Sequence, residues 1–409
     1  MDSRYGEKRL SAAEPRREAM STIARPVVLD ARMVRHSGIG THIRGLLEGW
    51  RDVAPEFRPT LLGDPAVIRE LLPDAARYTI VPFRAPVYGL REQLAFPSRK
   101  TRGTVLHCPH YNIALRHNGP LVVTIHDLIH LDARWGTRSP ARRLYARWML
   151  RAAVRRAGHI FAVSQATADE LAARIGAARD KISVVYNAPS RSFLDLRAAD
   201  TASEGRAADR SEAIEQFRRE TGLPAEYLLT VGLYKPHKNL DMLLETFKLL
   251  RERGEIALPL VVAGVQERER TALGRRLARL GVAEHVRVLD RLPGDRLPLL
   301  YGGATALIHP SVREGFGLPI VEAQAVGTPV VASRASAIPE VAGKGALFFD
   351  PYDGADLARQ VVAVVKDAAV RERLIAEGRR NVERFSWRES AQKVLSVYEQ
   401  VARLQKDEG

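Results

Sequence analysis

Short uninterrupted apolar runs recur through the sequence, separated by stretches whose apolar residues return every three to four positions. Residues 27–29, 105–106, 121–125, 160–163 and 182–185 are runs of the first kind and are predicted to be strands. Residues 41–52, 141–156 and 166–175 carry the helical spacing and lie between them. A strand that is apolar throughout must be covered on both faces. The alternation therefore predicts a parallel sheet with helices on each side.

Residues 198–213 are rich in Ala, Asp, Ser and Arg, show no apolar period, and are predicted to be a linker or surface loop. Beyond them the alternation restarts. Strands are expected at 227–231, 258–263, 286–289, 304–308 and 329–332, with helices at 239–252, at 267–280 and from 318 onward. Helices at 356–366 and 388–404 close the chain. The fold class is thus α/β, with two doubly wound, Rossmann-like domains at 24–197 and 213–386, a linker at 198–212 and a last helical segment at 387–409. Residues 1–22 are polar and aperiodic and are expected to form a disordered tail. Met20 stands just ahead of the first strand, as a translation start would. Doubly wound domains bind ligands at the carboxyl ends of their strands, so chemistry is expected in the gap between the two sheets.

A length of 409 residues accommodates two or three domains. No apolar run reaches the ~18–20 residues that cross a bilayer, and the first thirty residues lack a signal-peptide core. A single cysteine cannot close an internal disulfide, which points to a reducing, cytoplasmic setting. The net charge is +15, of which the first 200 residues carry +13. Such a half suits an anionic partner: nucleic acid, a membrane surface or a phosphorylated substrate. Much of the excess is arginine, which a GC-rich genome would also produce. The predicted helix 141–156 places Arg143, Arg147, Arg151 and Arg155 at four-residue steps beside Leu144, Tyr145, Trp148 and Met149. That pattern predicts weak adhesion to an anionic membrane face without insertion.

The strongest local signal is His309-Pro310-Ser311-Val312-Arg313-Glu314-Gly315-Phe316-Gly317-Leu318-Pro319-Ile320-Val321-Glu322. A strand ends near His309, a glycine turn follows, and a helix opens at Leu318–Pro319. Free amides at a helix start favour an anion, and Gly315 and Gly317 let the backbone approach it. Glu314 and Glu322 beside such a site suit a ligand that also offers hydroxyls. In Gly232-Leu233-Tyr234-Lys235-Pro236-His237-Lys238-Asn239, Lys238 stands beside another helix start, a phosphate-binding arrangement. Gly38 and Gly40 lie in a glycine turn that opens the first helix. His126 ends an apolar strand and is expected to line the cleft as a hydrogen-bonding group. His126 and His130 have the spacing of a zincin pair but stand at a strand end with Asp127 between them, and His107, Cys108 and His110 have no second Cys/His pair at finger spacing, so no metal is expected.

Taken in order, these motifs resemble the retaining GT-B glycosyltransferases of glycosyltransferase family 4, over residues 26–404. The resemblance rests on the E-x7-E motif Glu314–Glu322, the Gly232–Asn239 stretch, the first glycine loop, His126-Asp127 and the segment 337–350. It implies two Rossmann-like domains facing a central cleft, with a C-terminal helix crossing back to the first. It implies an acceptor site in the first domain and a nucleotide-sugar site in the second. By position, Glu322 would hold the ribose and Glu314 the donor sugar. The amides of Gly315, Phe316, Gly317 and Leu318 would bind sugar and diphosphate, and Lys238 would neutralise the diphosphate. Gly38 and Gly40 would admit the β-phosphate, and His126 would contact the sugar and leaving group. Many members carry arginine where Leu233 stands, and Lys235 or His237 is the expected substitute.

The likeness is strongest to mannosyltransferases of O-antigen and exopolysaccharide assembly. It implies metal-independent transfer from GDP-mannose, with no resident cofactor, to a saccharide or lipid-diphosphate acceptor at the inner membrane face, and no nucleic-acid partner. A UDP-sugar transferase, a nucleotide-sugar epimerase on the same scaffold and an inactive sugar-nucleotide-binding homologue are the alternatives.

Overall fold

Residues 23–201, 204–290 and 292–404 are described by the computed structural model, and they form two all-parallel sheets. The first contains β1 (Val27–Asp30), β2 (Thr60–Gly63), β3 (Ile80–Pro82), β4 (Val105–Cys108), β5 (Leu121–Ile125), β6 (His159–Ala162) and β7 (Ile182–Val184). Its order is β3-β2-β1-β4-β5-β6-β7. The second contains β8 (Leu228–Val231), β9 (Leu260–Ala263), β10 (Val286–Val288), β11 (Ala306–His309), β12 (Val330–Ser333) and β13 (Ala346–Phe349), in the order β10-β9-β8-β11-β12-β13. Central registers pair Val28 with Leu106 and Leu229 with Leu307. Strands β1, β4, β9, β11 and β12 are buried at every residue. This explains their continuous apolar reading, and each such Val or Leu contributes about 1.5–3 kcal/mol on burial. Strand order reverses between β1 and β4 and between β8 and β11, which makes a crevice at each switch point.

Three short strands escape the apolar-run criterion. β2 has only two apolar residues between Thr60 and Gly63, β3 has three residues with none fully buried, and β13 has two half-buried positions. The 198–212 stretch corrects the linker expectation: helices Arg191–Thr201 and Glu204–Thr221 occupy its described part. Ala, Glu and Arg are good helix formers, and the apolar anchors stand at the flanks. Phe193 and Phe217 are both buried, and Phe193 meets Tyr301 edge to face at 5.3 Å. The tail expected at 1–22 lies outside the described residues, as do Met20 and residues 405–409.

The last helix, Trp387–Leu404, returns to the first domain and packs along Ser37–Val53. Trp50 Nε1 donates to the Ala391 carbonyl (3.1 Å), and the Tyr398 hydroxyl lies 2.6 Å from His107 Nδ1. Among the described residues no helix is long and apolar enough to cross a membrane.

Candidate active site

In the second domain, β8 ends at Val231 and the chain turns at Gly232 toward a short 3-10 turn, Pro236–Lys238. The Lys238 stem lies over Gly232, and its Nζ reaches Glu314 Oε1 at 2.6 Å. β11 ends at His309, whose Nε2 is 3.2 Å from the same oxygen. Burial alone would raise the Glu314 pKa, but the Lys238 ammonium and His309 outweigh it and hold the carboxyl well below the usual range. Beside this pair a recess of about 250 Å³, open to solvent, is lined by Gly232, Leu233, Lys238, His309 and Ser311.

The turn from Glu314 to Leu318 is fixed at both ends. Gly317 takes φ 103°, a left-handed conformation that favours glycine, and caps the helix Leu318–Ala325. Phe316 is buried edge-on against Phe385 at 5.5 Å, so its side chain anchors the turn while its amide stays at the helix mouth. The amides of Phe316, Gly317 and Leu318 donate to no backbone acceptor among the described residues. Gly315 touches the other domain: a Cβ there would stand 1.7 Å from the His126 carbonyl oxygen, and its own carbonyl accepts from Ser164 Oγ at 2.6 Å. Glu322 lies in the second helical turn and accepts from the Tyr301 hydroxyl at 2.8 Å. Burial pushes its pKa up to about 7, against the lowering effect of that hydrogen bond. The two carboxyls of the E-x7-E motif are therefore in opposite electrostatic states.

On the first-domain side, His126 follows β5 and is half-buried, its ring edge-on to His42 at 5.0 Å. Burial, with His42 nearby, pushes its pKa well down, so the imidazole is neutral; its Nε2 has no hydrogen-bond partner among the described residues. The next residue, Asp127, accepts from the Ile129 amide at 2.9 Å. Asp127 and Glu314 line a second, shallow recess open to solvent at the seam between the domains, with Ile129, Arg313 and Ser336.

The remaining expected residues divide. The first helix begins at Ser37, so Gly38 and Gly40 sit inside its first turn rather than in a turn before it. Gly40 presses on the Val34 carbonyl, while Gly38 faces open space. Lys235 is directed to the buried Glu269 (3.0 Å), away from Lys238 and Glu314. His237 joins them: burial and Lys238 depress its pKa, opposed by Glu314 and Asp127. Of the His107-Cys108-His110 cluster, His107 bonds Tyr398 and Thr124, burial pushes the Cys108 thiol up, and His110 faces Asp30 at 3.3 Å. On the helix Pro140–Arg156, Arg143 leaves the expected arginine row because it donates to the Thr137 and Arg138 carbonyls. Leu144, Arg147, Trp148, Arg151 and Arg155 are exposed.

His309 and Tyr301 have no assigned role in the sequence, yet His309 helps Lys238 hold Glu314 ionised and Tyr301 is the hydrogen-bond partner of Glu322. His309 had a legible signal, its position as the last residue of an apolar strand. Tyr301 had none, because its helix, Leu297–Gly302, is only six residues long.

Residues 37–189 match the family model described as Glycosyltransferase Family 4, and residues 213–381 match the one described as Glycosyl transferases group 1. The O-antigen chain mannosyltransferase B of Escherichia coli is 33% identical over 172 residues, 42% of this chain and 45% of that protein. The O-antigen chain mannosyltransferase RfbU of Salmonella typhimurium is 28% identical over 264 residues, 64% of each chain. The chain thus spans less than two thirds of the length of these curated relatives. Among solved structures, Anabaena HepE in complex with UDP and glucose aligns with a TM-score of 0.69 at 20% identity, over 91% of this chain and 99% of that one. Two facing doubly wound domains with a returning C-terminal helix make the GT-B fold, and with a family 4 first half and a group 1 second half the chain belongs to the glycosyltransferases.

Proposed function

We propose that this protein transfers a hexose, mannose from GDP-mannose, to a saccharide or lipid-linked acceptor in cell-surface polysaccharide assembly, retaining the anomeric configuration and without a metal ion. The observation that carries this reading is the Lys238–Glu314 pair at the mouth of the Leu318–Ala325 helix, 2.6 Å apart and largely enclosed. Departure of a nucleoside diphosphate develops negative charge on the leaving oxygen. Lys238 and the free amides of Phe316–Leu318 supply fixed positive potential where that charge forms, which is the role a divalent cation plays elsewhere.

Donor binding would draw Lys238 toward the diphosphate and release Glu314 to accept sugar hydroxyls, while ionised Glu322 would accept from the ribose. Neutral His126 can donate or accept at the sugar. In a same-face displacement the C1–oxygen bond to the diphosphate breaks as the acceptor oxygen bonds to C1. The departing phosphate oxygen takes the acceptor's proton. Mannose is favoured because two O-antigen mannosyltransferases are among the relatives. A membrane-face acceptor is supported by the exposed Leu144, Arg147, Trp148, Arg151 and Arg155 on one side of Pro140–Arg156.

The test is calorimetric titration with GDP, UDP and dTDP, each with and without magnesium. GDP binding that magnesium does not strengthen, and that Lys238→Ala weakens at least tenfold, is expected. Preference for UDP would replace the donor, and no binding by any of the three would sink the donor site.

A further inference from the structure

Beside the seam recess, the first domain carries an aromatic surface that none of the donor-site residues explains. Tyr88, Tyr111 and His130 come from three loops at the carboxyl ends of the first sheet's strands. The Tyr88 and Tyr111 rings lie 5.5 Å apart, His130 is stacked against Tyr88 at 6.2 Å with 30° between planes, and Tyr111 meets His130 edge-on at 5.5 Å. Tyr88 is 41% exposed while Tyr111 is 8% exposed, so Tyr111 is the floor and Tyr88 the open tile. Asp127 borders both the rings and the recess. Burial raises the pKa of Tyr88 and of Tyr111, the Asp127 charge adds to it, and His130 Nδ1 stands 3.9 Å from Asp127 Oδ1.

The backbone under this surface is strained, and an expensive network holds it. Tyr88 has φ 73°, a left-handed conformation disfavoured for a bulky side chain. Its amide donates to Glu92 Oε2 at 3.1 Å, and Glu92 also accepts from Arg32 and Asn112. Arg32 binds Asp30 at 2.6 Å, donates to the Ala85 carbonyl and lies over the Phe83 ring at 4.4 Å, gripping the loop that carries Tyr88. The side chains of Asp30, Arg32 and Glu92 are only 1–6% exposed. Burying three charges costs several kcal/mol per ion before they pair. Strain maintained this way gathers at ligand clamps, where it presets a side chain for its ligand.

We propose that Tyr88, Tyr111, His130 and Asp127 form the acceptor subsite, and that it takes the neutral pyranose ring of a saccharide acceptor. This rests on the glycosyltransferase reading and names what that activity modifies. A pyranose has a face of polarised C–H bonds that suits the negative face of an aromatic ring, and an edge of hydroxyls that suits a carboxylate. One Asp127 oxygen is taken by the Ile129 amide, and the other can accept a hydroxyl. A bare phosphate end would meet the Asp127 carboxylate and be repelled. Asp127 lies beside the rings and also lines the recess with Glu314, so it joins this surface to the donor side.

The test is saturation-transfer NMR on the full chain with methyl α-D-mannopyranoside and methyl β-D-glucopyranoside as probes and inorganic phosphate as competitor. Transfer to the ring protons of at least one glycoside is expected, undisturbed by phosphate. Tyr88→Ala and His130→Ala should bind about tenfold more weakly, and Tyr88→Phe should restore binding. Circular dichroism melting separates a local loss from misfolding, and Leu249→Ala, at an exposed position of the second domain, serves as a surface control. Unchanged transfer in Tyr88→Ala, displacement by phosphate, or no glycoside contact in wild type would overturn the proposal. Retained glycoside contact in a protein that binds no nucleotide would fell the donor reading alone.

Discussion

Glu340 of the second domain caps a helix of the first: its carboxylate accepts from the Gln165 amide at 2.7 Å and the Ala166 amide at 3.0 Å, at the start of Gln165–Ile175. The next amide, that of Thr167, is taken by Ser164 Oγ at 3.1 Å. Helix starts leave their first amides unsatisfied and favour negative charge. Here the missing acceptor arrives from the facing domain. Arg313 adds a second tie, reaching Glu170 at 2.8 Å and Asp132 at 3.2 Å. These contacts hold the cleft closed with Gly315 against His126.

Glu340→Ala should therefore favour an open arrangement. Charge-assisted bonds to two amides are worth about 1.5–3 kcal/mol in all, enough to shift a domain equilibrium more than tenfold. Small-angle scattering should show a larger radius of gyration for the variant, with Glu340→Gln intermediate. Superimposable wild-type and Glu340→Ala profiles would show that Arg313 and the Gly315 contact suffice.

Removing either member of the Lys238–Glu314 pair should have unequal consequences. Without Lys238 the enclosed Glu314 loses its strongest stabiliser, so its pKa rises, and in the proposed donor site the diphosphate would lose its cation. Lys238→Ala should lower kcat by about 10²–10³, the usual cost of one preorganised charge-stabilising group. Glu314→Gln keeps the shape and frees Lys238, so nucleotide diphosphate affinity should hold or rise while sugar transfer falls. Affinity and kcat falling together in Glu314→Gln would show that Glu314 binds the nucleotide rather than the sugar.

Much of this arrangement is legible before any coordinates. Buried parallel strands read as apolar runs, and Glu314, Glu322 and Lys238 stand where strand, turn and helix signals meet. What is hidden falls into two kinds. The helix Glu204–Thr221 is polar for most of its length and is anchored by Phe217 and Ile214, too few residues to raise a periodic signal. The rest depends on pairings distant in the chain. Glu340 meets Gln165 across 175 positions and Tyr301 meets Glu322 across 21, and no local pattern announces either.

The raised Glu322 pKa gives a pH signature in stability and in binding. A glutamate ordinarily titrates near 4.5, and this one is shifted to about 7. Below about pH 4.5 the folded and unfolded chains both hold the proton. Between there and about 7 the folded chain retains it and the unfolded chain does not, so this contribution to stability is lost as pH rises through the window and is level above it. In the proposed donor site ribose hydroxyls would donate to the ionised form, so nucleotide binding should release a proton from Glu322. Affinity should rise about tenfold between about pH 6 and pH 8. Calorimetry in buffers of different ionisation enthalpy reads the proton directly. Glu322→Gln should abolish both the release and the pH slope, and a slope that persists would assign it to another group.

The exposed side of Pro140–Arg156 makes a prediction about location. Leu144, Trp148, Arg151 and Arg155 fall at helical steps of four, three and four, on one stripe, with Arg147 alongside. Leu144 is 70% exposed and Trp148 48%, a cost in water that a lipid surface would relieve. Arginines near an anionic bilayer gain about 1 kcal/mol each, and a tryptophan settles at the headgroup level. Co-sedimentation should therefore retain the protein on phosphatidylglycerol vesicles and not on phosphatidylcholine vesicles. About 0.5 M salt should release most of it, because screening then acts within a few ångströms. Replacing Arg147, Arg151 and Arg155 by glutamate should abolish binding. Leu144→Ala with Trp148→Ala should weaken it about tenfold or more and steepen the salt dependence, since the apolar share is then gone. Equal retention on both lipids would mean that the stripe recognises no charge, and equal binding of the double alanine variant and wild type at every salt concentration would mean that Leu144 and Trp148 stay in water.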